Sequence, residues 1–199
     1  MKQTMLLVCD IQERFRPLIY RFPAVVRSAG VLLRVAALLN IQVFATEQNP
    51  DKLGATVGEL SPLIKTPILA KMAFSMLGGP QSTLPPILTT SGGGDGASRH
   101  VIICGIETHV CIAQTVRDLL EQRIAVSVVV DGVSSQRAGD RTIALAAMSK
   151  AGAVLTTTEA VLFEMMATAD HPRFKDVQRI AIELATAYNK ENAVVLDHL

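Results

Sequence analysis

Short, almost wholly apolar runs alternate along this chain with longer stretches whose apolar residues recur at three- and four-residue spacing. Met5, Leu6, Leu7, Val8 and Cys9 make the first short run, closed by Asp10. A strand is predicted there, followed by a helix over residues 24–39, where Val25, Leu32, Leu33, Val35, Ala36 and Leu39 share one face. The same reading predicts strands at 42–46, 67–70, 101–104, 125–130 and 153–156, with helices at 110–122, 140–150 and 176–189.

Strands this uniformly apolar are covered on both faces, as in parallel sheets. Their alternation with helices implies right-handed crossovers. The expected class is α/β: a three-layer, doubly wound sheet of about six mostly parallel strands with helices on both faces, in one domain over residues 1–199. Ligands of such sheets bind beyond the carboxyl ends of the strands, where the winding reverses. One stretch breaks the rhythm. Residues 78–99 are rich in Gly, Pro and Ser, and the part from 89 to 99 reads as a flexible surface loop, either a plain insertion or a lid over the site.

Composition narrows the function. Hydrophobic residues make up 49% and charged residues 19%, which suits a folded chain. Nineteen basic residues face eighteen acidic ones, with no Lys/Arg run, no Trp and two Tyr. That argues against nucleic acid as the main partner, although a basic patch assembled by folding stays open. Three cysteines (Cys9, Cys104 and Cys111) suggest no disulfide framework and a reducing compartment. No run approaches the ~20 apolar residues of a membrane span. The first apolar run is too short for a signal peptide, and Asp10 and Glu13 fit a transit peptide poorly. A cytoplasmic protein is expected, with organellar import as the alternative. The mean hydropathy of +0.34 suggests a buried interface and hence a homo-oligomer.

Three ionisable residues fall at the carboxyl edge of the predicted sheet. Cys111 ends the segment Gly105-Ile106-Glu107-Thr108-His109-Val110-Cys111, which leaves a buried strand and enters a helix. A thiol in a first helical turn meets unpaired N–H groups that favour the thiolate and are suited to holding an oxyanion; the alternative is a small buried hydrophobe. Asp10 closes the first strand, where burial would make its carboxylate a better base, or else it is a solvated or capping Asp. Lys71 follows the third strand and, taken alone, reads as surface.

Taken together, these residues resemble the isochorismatase-like cysteine hydrolases, over nearly the whole chain and closest to the isochorismatase domain-containing subgroup. The likeness is carried by Cys9-Asp10-Ile11-Gln12-Glu13-Arg14-Phe15, Thr46-Glu47-Gln48-Asn49-Pro50, Lys71-Met72-Ala73-Phe74-Ser75-Met76 and the Gly105–Cys111 segment. Val130-Asp131-Gly132-Val133-Ser134-Ser135 and His171-Pro172-Arg173-Phe174-Lys175 complete it. The resemblance implies Cys111 as nucleophile, Asp10 as base and Lys71 as third member of a triad. It also implies a cis peptide between Ile106 and Glu107 that aims the Glu107 and Cys111 amides at the substrate oxygen. Members that cleave isochorismate commonly have Gly in place of the nucleophile, so Cys111 points instead to a small amide or related acyl compound. Nicotinamidase relatives hold a metal with Asp and His after the second strand. Residues 46–52 contain no His, so no metal and no cofactor are expected.

The remaining assignments are weaker in kind. Cys9 and Cys104 read as core, and Asp131 as a partner of the backbone turn at 132–135 or a catalytic group. Phe15, Gln48, Phe74 and His109 are pocket candidates by position. Two other functions compete with a hydrolase of small molecules: a catalytically quiet binding or scaffold protein, and a nucleic-acid-processing enzyme such as a ribonuclease. A thiolate suits phosphodiester cleavage poorly, and no paired carboxylates for two metals are evident.

Overall fold

The computed structural model describes residues 3–78 and 99–191. Six strands form one sheet: β1 (Gln3–Cys9), β2 (Gln42–Gln48), β3 (Ile68–Lys71), β4 (Arg99–Ile106), β5 (Ala125–Ser134) and β6 (Val154–Thr156). Their order is β3-β2-β1-β4-β5-β6, and every pairing is parallel. Winding reverses between β1 and β4, which opens a crevice at their carboxyl ends.

Alternation along β1 and β4 feeds two cores. Leu6 and Val8 of β1, with Ile102 and Cys104 of β4, face α1 (Phe22–Leu38), α5 (Thr158–Met166) and α6 (Phe174–Glu191). Met5, Leu7 and Cys9, with Val101 and Ile103, face α3 (Ala113–Glu121) and α4 (Ala138–Lys150) on the other side. A four-residue helix, α2 (Pro50–Leu53), follows β2. The expected three-layer sheet is therefore present, and all its strands are parallel rather than mostly so.

Two differences from the expectation have local causes. Helix α5 was not anticipated because Ala160, Val161, Leu162, Phe163, Met165 and Met166 are apolar almost all round and leave no periodic stripe. Strand β5 does not stop before Asp131 but continues to Ser134, because Val133 and Ser134 pair with Gly105 and Ile106 across a register shift. Asp131 consequently does not serve the 132–135 turn. It is buried, accepts the Thr158 N–H at 2.7 Å at the start of α5, and is bonded by the Tyr188 hydroxyl of α6. This carboxylate fastens two helices to the sheet. The expected Gly/Ser-rich loop at 89–99 lies, but for Arg99, outside the described residues.

Candidate active site

Asp10 leaves β1 with φ of 56°, a left-handed conformation that Asp tolerates better than most residues. The turn is held by the Asp10 N–H on the Thr46 carbonyl (3.1 Å) and by the Gln12 N–H on the Asp10 carbonyl (2.8 Å). The carboxylate is buried, and both of its oxygens are engaged. Oδ1 accepts the Thr46 hydroxyl at 2.8 Å, while Oδ2 lies 2.7 Å from Lys71 Nζ and accepts the Cys9 thiol at 3.4 Å. A carboxylate in the interior needs this compensation, since an unpaired buried charge costs several kcal/mol.

Lys71 closes β3 and spends its remaining donors on Gln48 Oε1 (2.7 Å) and on the carbonyls of Ala73 (3.2 Å) and Phe74 (2.9 Å). Burial alone would draw its ammonium down. The groups facing it, Cys9, Asp10 and Cys111, outweigh burial and hold it above the ordinary lysine value. One cation thus sits among two thiols and a carboxylate and latches the loop that follows β3.

Cys111 arrives from the other side of the crevice. Gly105 ends β4 with φ of 141°, and a Cβ there would lie 2.2 Å from the Cys9 carbonyl oxygen. Only glycine lets β4 press this closely on β1. Glu107 then turns the chain with φ of 54°, and Thr108–Ile112 form a π-helical turn that runs into α3. Val110 and Ile112 donate their N–H groups to the Glu107 carbonyl at 2.9 and 3.3 Å. Such turns often occur at functional sites. The cis peptide implied between Ile106 and Glu107 is not found, for no cis bond occurs among the described residues. Two left-handed residues, Gly105 and Glu107, reverse the chain through trans bonds instead.

Asp10 and Cys111 line one cavity of about 320 Å³. Phe15, Gln48 and Phe74 lie on its walls with Leu53, while Ile106, Glu107 and His109 border it from the β4 side. Lys71 is not in the lining; it stands behind Asp10. Among the described residues, no cluster of three or more His, Cys, Asp or Glu is placed to hold a metal ion.

Sequence reading missed several contributors. Gln12, fully buried, donates to the carbonyls of Gln48 (3.1 Å) and Gly54 (2.6 Å) and accepts the Gln48 N–H (2.8 Å), which fixes the segment carrying Leu53. Thr115 ties the two halves together: it donates to the Cys111 carbonyl at 2.7 Å and accepts the Met76 N–H at 2.9 Å. Gln136 and Arg137 from the turn after β5, with Asp140 from the first turn of α4, complete the cavity. That turn lies on the same carboxyl edge, and its position there was the available signal.

Comparison with known proteins agrees with this architecture. The family model for the isochorismatase domain matches residues 4–160. Isochorismatase domain-containing protein 2A of Mus musculus is 41% identical over 182 residues, covering 92% of this chain and 84% of its own length. A structure of the MAR1 ribonuclease from Caenorhabditis elegans superimposes with a TM-score of 0.81 at 40% identity, covering 92% of each chain. The Escherichia coli YcaC gene product, described as an octameric hydrolase of unknown specificity, shares the fold with a TM-score of 0.76 at 21% identity, over 96% of this chain and 97% of its own. With its sheet order, its carboxyl-edge site and the match over residues 4–160, the chain belongs to the isochorismatase family.

Proposed function

We propose that this protein is a cysteine hydrolase of a small amide or related acyl compound, working through Cys111, Asp10 and Lys71. The observation that carries the reading is that Asp10 and Cys111 line one small cavity, with Lys71 at 2.7 Å behind the carboxylate. Asp10 takes the Cys111 proton as Sγ attacks the acyl carbon, and Lys71 balances the charge that passes between them. Amides of the Gly105–Cys111 turn, those of Glu107 and Cys111 first among them, receive the developing oxyanion. The leaving amine takes the proton back from Asp10, and water then releases the thioacyl enzyme. The residues present supply every group these steps use, so the reading calls for neither metal nor cofactor.

A screen of small amides, nitriles and esters against wild type and Cys111→Ala tests this reading. Turnover by wild type that vanishes in Cys111→Ala supports it; equal turnover by both ends it. Thiol-probe labelling of Cys111 separates an enzyme from a quiet scaffold, and elemental analysis checks that no zinc or iron accompanies the chain at about one per molecule.

The relation to the C. elegans MAR1 ribonuclease, at 40% identity, favours a second reading in which the substrate is RNA. The cavity wall speaks against it, for among the described lining residues the carboxylates Asp10, Glu107 and Asp140 would meet a phosphate with only one Arg or Lys, Arg137, to offset them. RNA cleavage that needs Cys111 and weakens steeply with salt would establish this second reading. We also propose a homo-oligomer located in the cytoplasm. Exposed Ile143, Val154 and Ile182 offer apolar contact surface, and no described helix is long and apolar enough to cross a membrane. Light scattering on the purified chain reads the assembly directly.

A further inference from the structure

A general base has to meet its proton in the same orientation at every turnover. Asp10 stands just beyond β1, turned off in the left-handed region, so the ladder of the sheet does not itself fix its side chain. The support comes from β2, where Thr46 pairs with Cys9 in register. Thr46 holds Asp10 at two points. Its carbonyl accepts the Asp10 N–H at 3.1 Å, and its hydroxyl donates to Asp10 Oδ1 at 2.8 Å. Both residues are buried, and a hydroxyl bonded to a charged acceptor makes one of the stronger side-chain hydrogen bonds.

The two carboxylate oxygens are held from different strands. Thr46 of β2 serves Oδ1, and Lys71 of β3 lies 2.7 Å from Oδ2. Anchors on both oxygens stop the carboxylate from rotating about its Cβ–Cγ bond, which a single anchor leaves free. The two anchors differ in redundancy. Oδ2 also accepts the Cys9 thiol, and Lys71 is itself held by Gln48, Ala73 and Phe74. Thr46, by contrast, is the one hydrogen-bond partner of Oδ1 among the described residues. Its branched Cβ restricts χ1, so the hydroxyl is aimed in advance.

Resting on the acyl-enzyme reading above, we propose that Thr46 is the positioning residue of the general base, holding the Asp10 carboxylate in the orientation from which it takes the Cys111 proton. Thr46 is absent from the cavity lining and so meets no substrate. It acts through Asp10 alone. Its loss belongs to the chemical step and leaves substrate binding as it was.

Thr46→Val keeps the branched shape and deletes the donor. With p-nitrophenyl acetate, nitrophenol released in the first turnover reports acylation alone, and each rate is divided by the folded fraction read from circular dichroism. The limiting rate should fall roughly 10- to 100-fold, the range for a hydrogen bond to a charged group. The ester concentration giving half that rate should stay within about twofold. Thr46→Ser returns the donor and should recover most of the rate. On an Asp10→Asn background, Thr46→Val should lose nothing further, because the carboxylate it orients is already gone. Thr46→Ala, also without the donor, takes the place of the valine variant should that chain not fold. An unchanged first-turnover rate without the donor, an equal loss on both backgrounds, or no recovery in Thr46→Ser overturns the assignment while leaving the Cys111 reading in place. Nitrophenol release that is the same in wild type and Cys111→Ala overturns both.

Discussion

Lys71 Nζ stands 2.7 Å from Asp10 Oδ2, and neither side chain is more than 8% exposed. A pair this deeply enclosed stabilises the fold mainly by keeping each charge from being alone. Asp10 directly follows β1 and Lys71 ends β3, two strands apart in the sheet, so their contact also joins the loops on either side of β2. Through the Ala73 and Phe74 carbonyls, Lys71 sets where Phe74 meets the cavity.

Removing either partner should therefore damage both stability and turnover. Lys71→Met leaves Asp10 buried and unpaired, and is expected to cost about 3–5 kcal/mol in urea unfolding. Asp10→Asn preserves shape but takes no proton, and turnover should fall by roughly 10²–10⁴. Because the residues act as a unit, Asp10→Asn combined with Cys111→Ala should be no slower than Cys111→Ala alone. Near-normal thiol reactivity and turnover in folded Asp10→Asn and Lys71→Met would remove both residues from the chemistry.

The three thiols should differ sharply in reactivity. Cys9 and Cys104 have no exposed surface, and burial raises both above the ordinary thiol range; for Cys9 the hydrogen bond with Cys111 and the Asp10 charge add to it. Cys111 borders the cavity. Limited iodoacetamide treatment followed by peptide mapping should find the label on Cys111. Equal label on Cys9 or Cys104 in the folded protein would contradict the packing.

Much of this site was legible in the sequence because its members terminate strands. The apolar run before Asp10 and the Gly105–Cys111 turn announce a central sheet edge without reference to any contact. Contacts made across the chain were not legible. Nothing near Gln12 shows that its amide will be buried against Gln48 and Gly54, 36 and 42 residues away. Asp131 looked like the end of a strand because glycine follows it, whereas pairing with β4 carries β5 onward and turns the carboxylate towards α5 and α6. The turn before Cys111 was expected to need a cis bond, and left-handed backbone at Gly105 and Glu107 does the work instead.

Gly105→Ala tests how closely β4 must approach β1. The added methyl would sit 2.2 Å from the Cys9 carbonyl oxygen and 2.7 Å from Cys9 Cβ, both parts of a central strand that cannot yield cheaply. Residues at this φ also resist a side chain. A loss of about 3–5 kcal/mol is expected from the urea midpoint, at the upper end for single substitutions. Since the same turn delivers Cys111, activity should fall further than the folded fraction accounts for. A change under about 1 kcal/mol would mean that the strands can part locally without cost.

Alkaline pH should weaken the fold in a way that Cys104 controls. Burial, with the Asp131 charge adding to it, pushes the Cys104 thiol up to about 12, while in an unfolded chain it ionises near the free value of about 8.5. Between those values the unfolded chain has lost a proton that the folded chain keeps, so stability falls as pH rises. Cys9, raised in the same direction, adds to the slope. Lys71 acts later: its raised folded value gives a contribution that is complete below the ordinary lysine range near 10.4 and disappears as pH climbs through the folded value. Urea midpoints measured under reductant should be level near neutrality and decline from about pH 8.5. Cys104→Ala lowers stability at every pH through lost packing, so the comparison lies in the slope between pH 8.5 and 10.5, which should be shallower than in wild type. Parallel slopes for wild type, Cys104→Ala and Cys9→Ala would show that these thiols ionise as readily in the folded chain as in the unfolded one, and that their burial does not govern the alkaline limb.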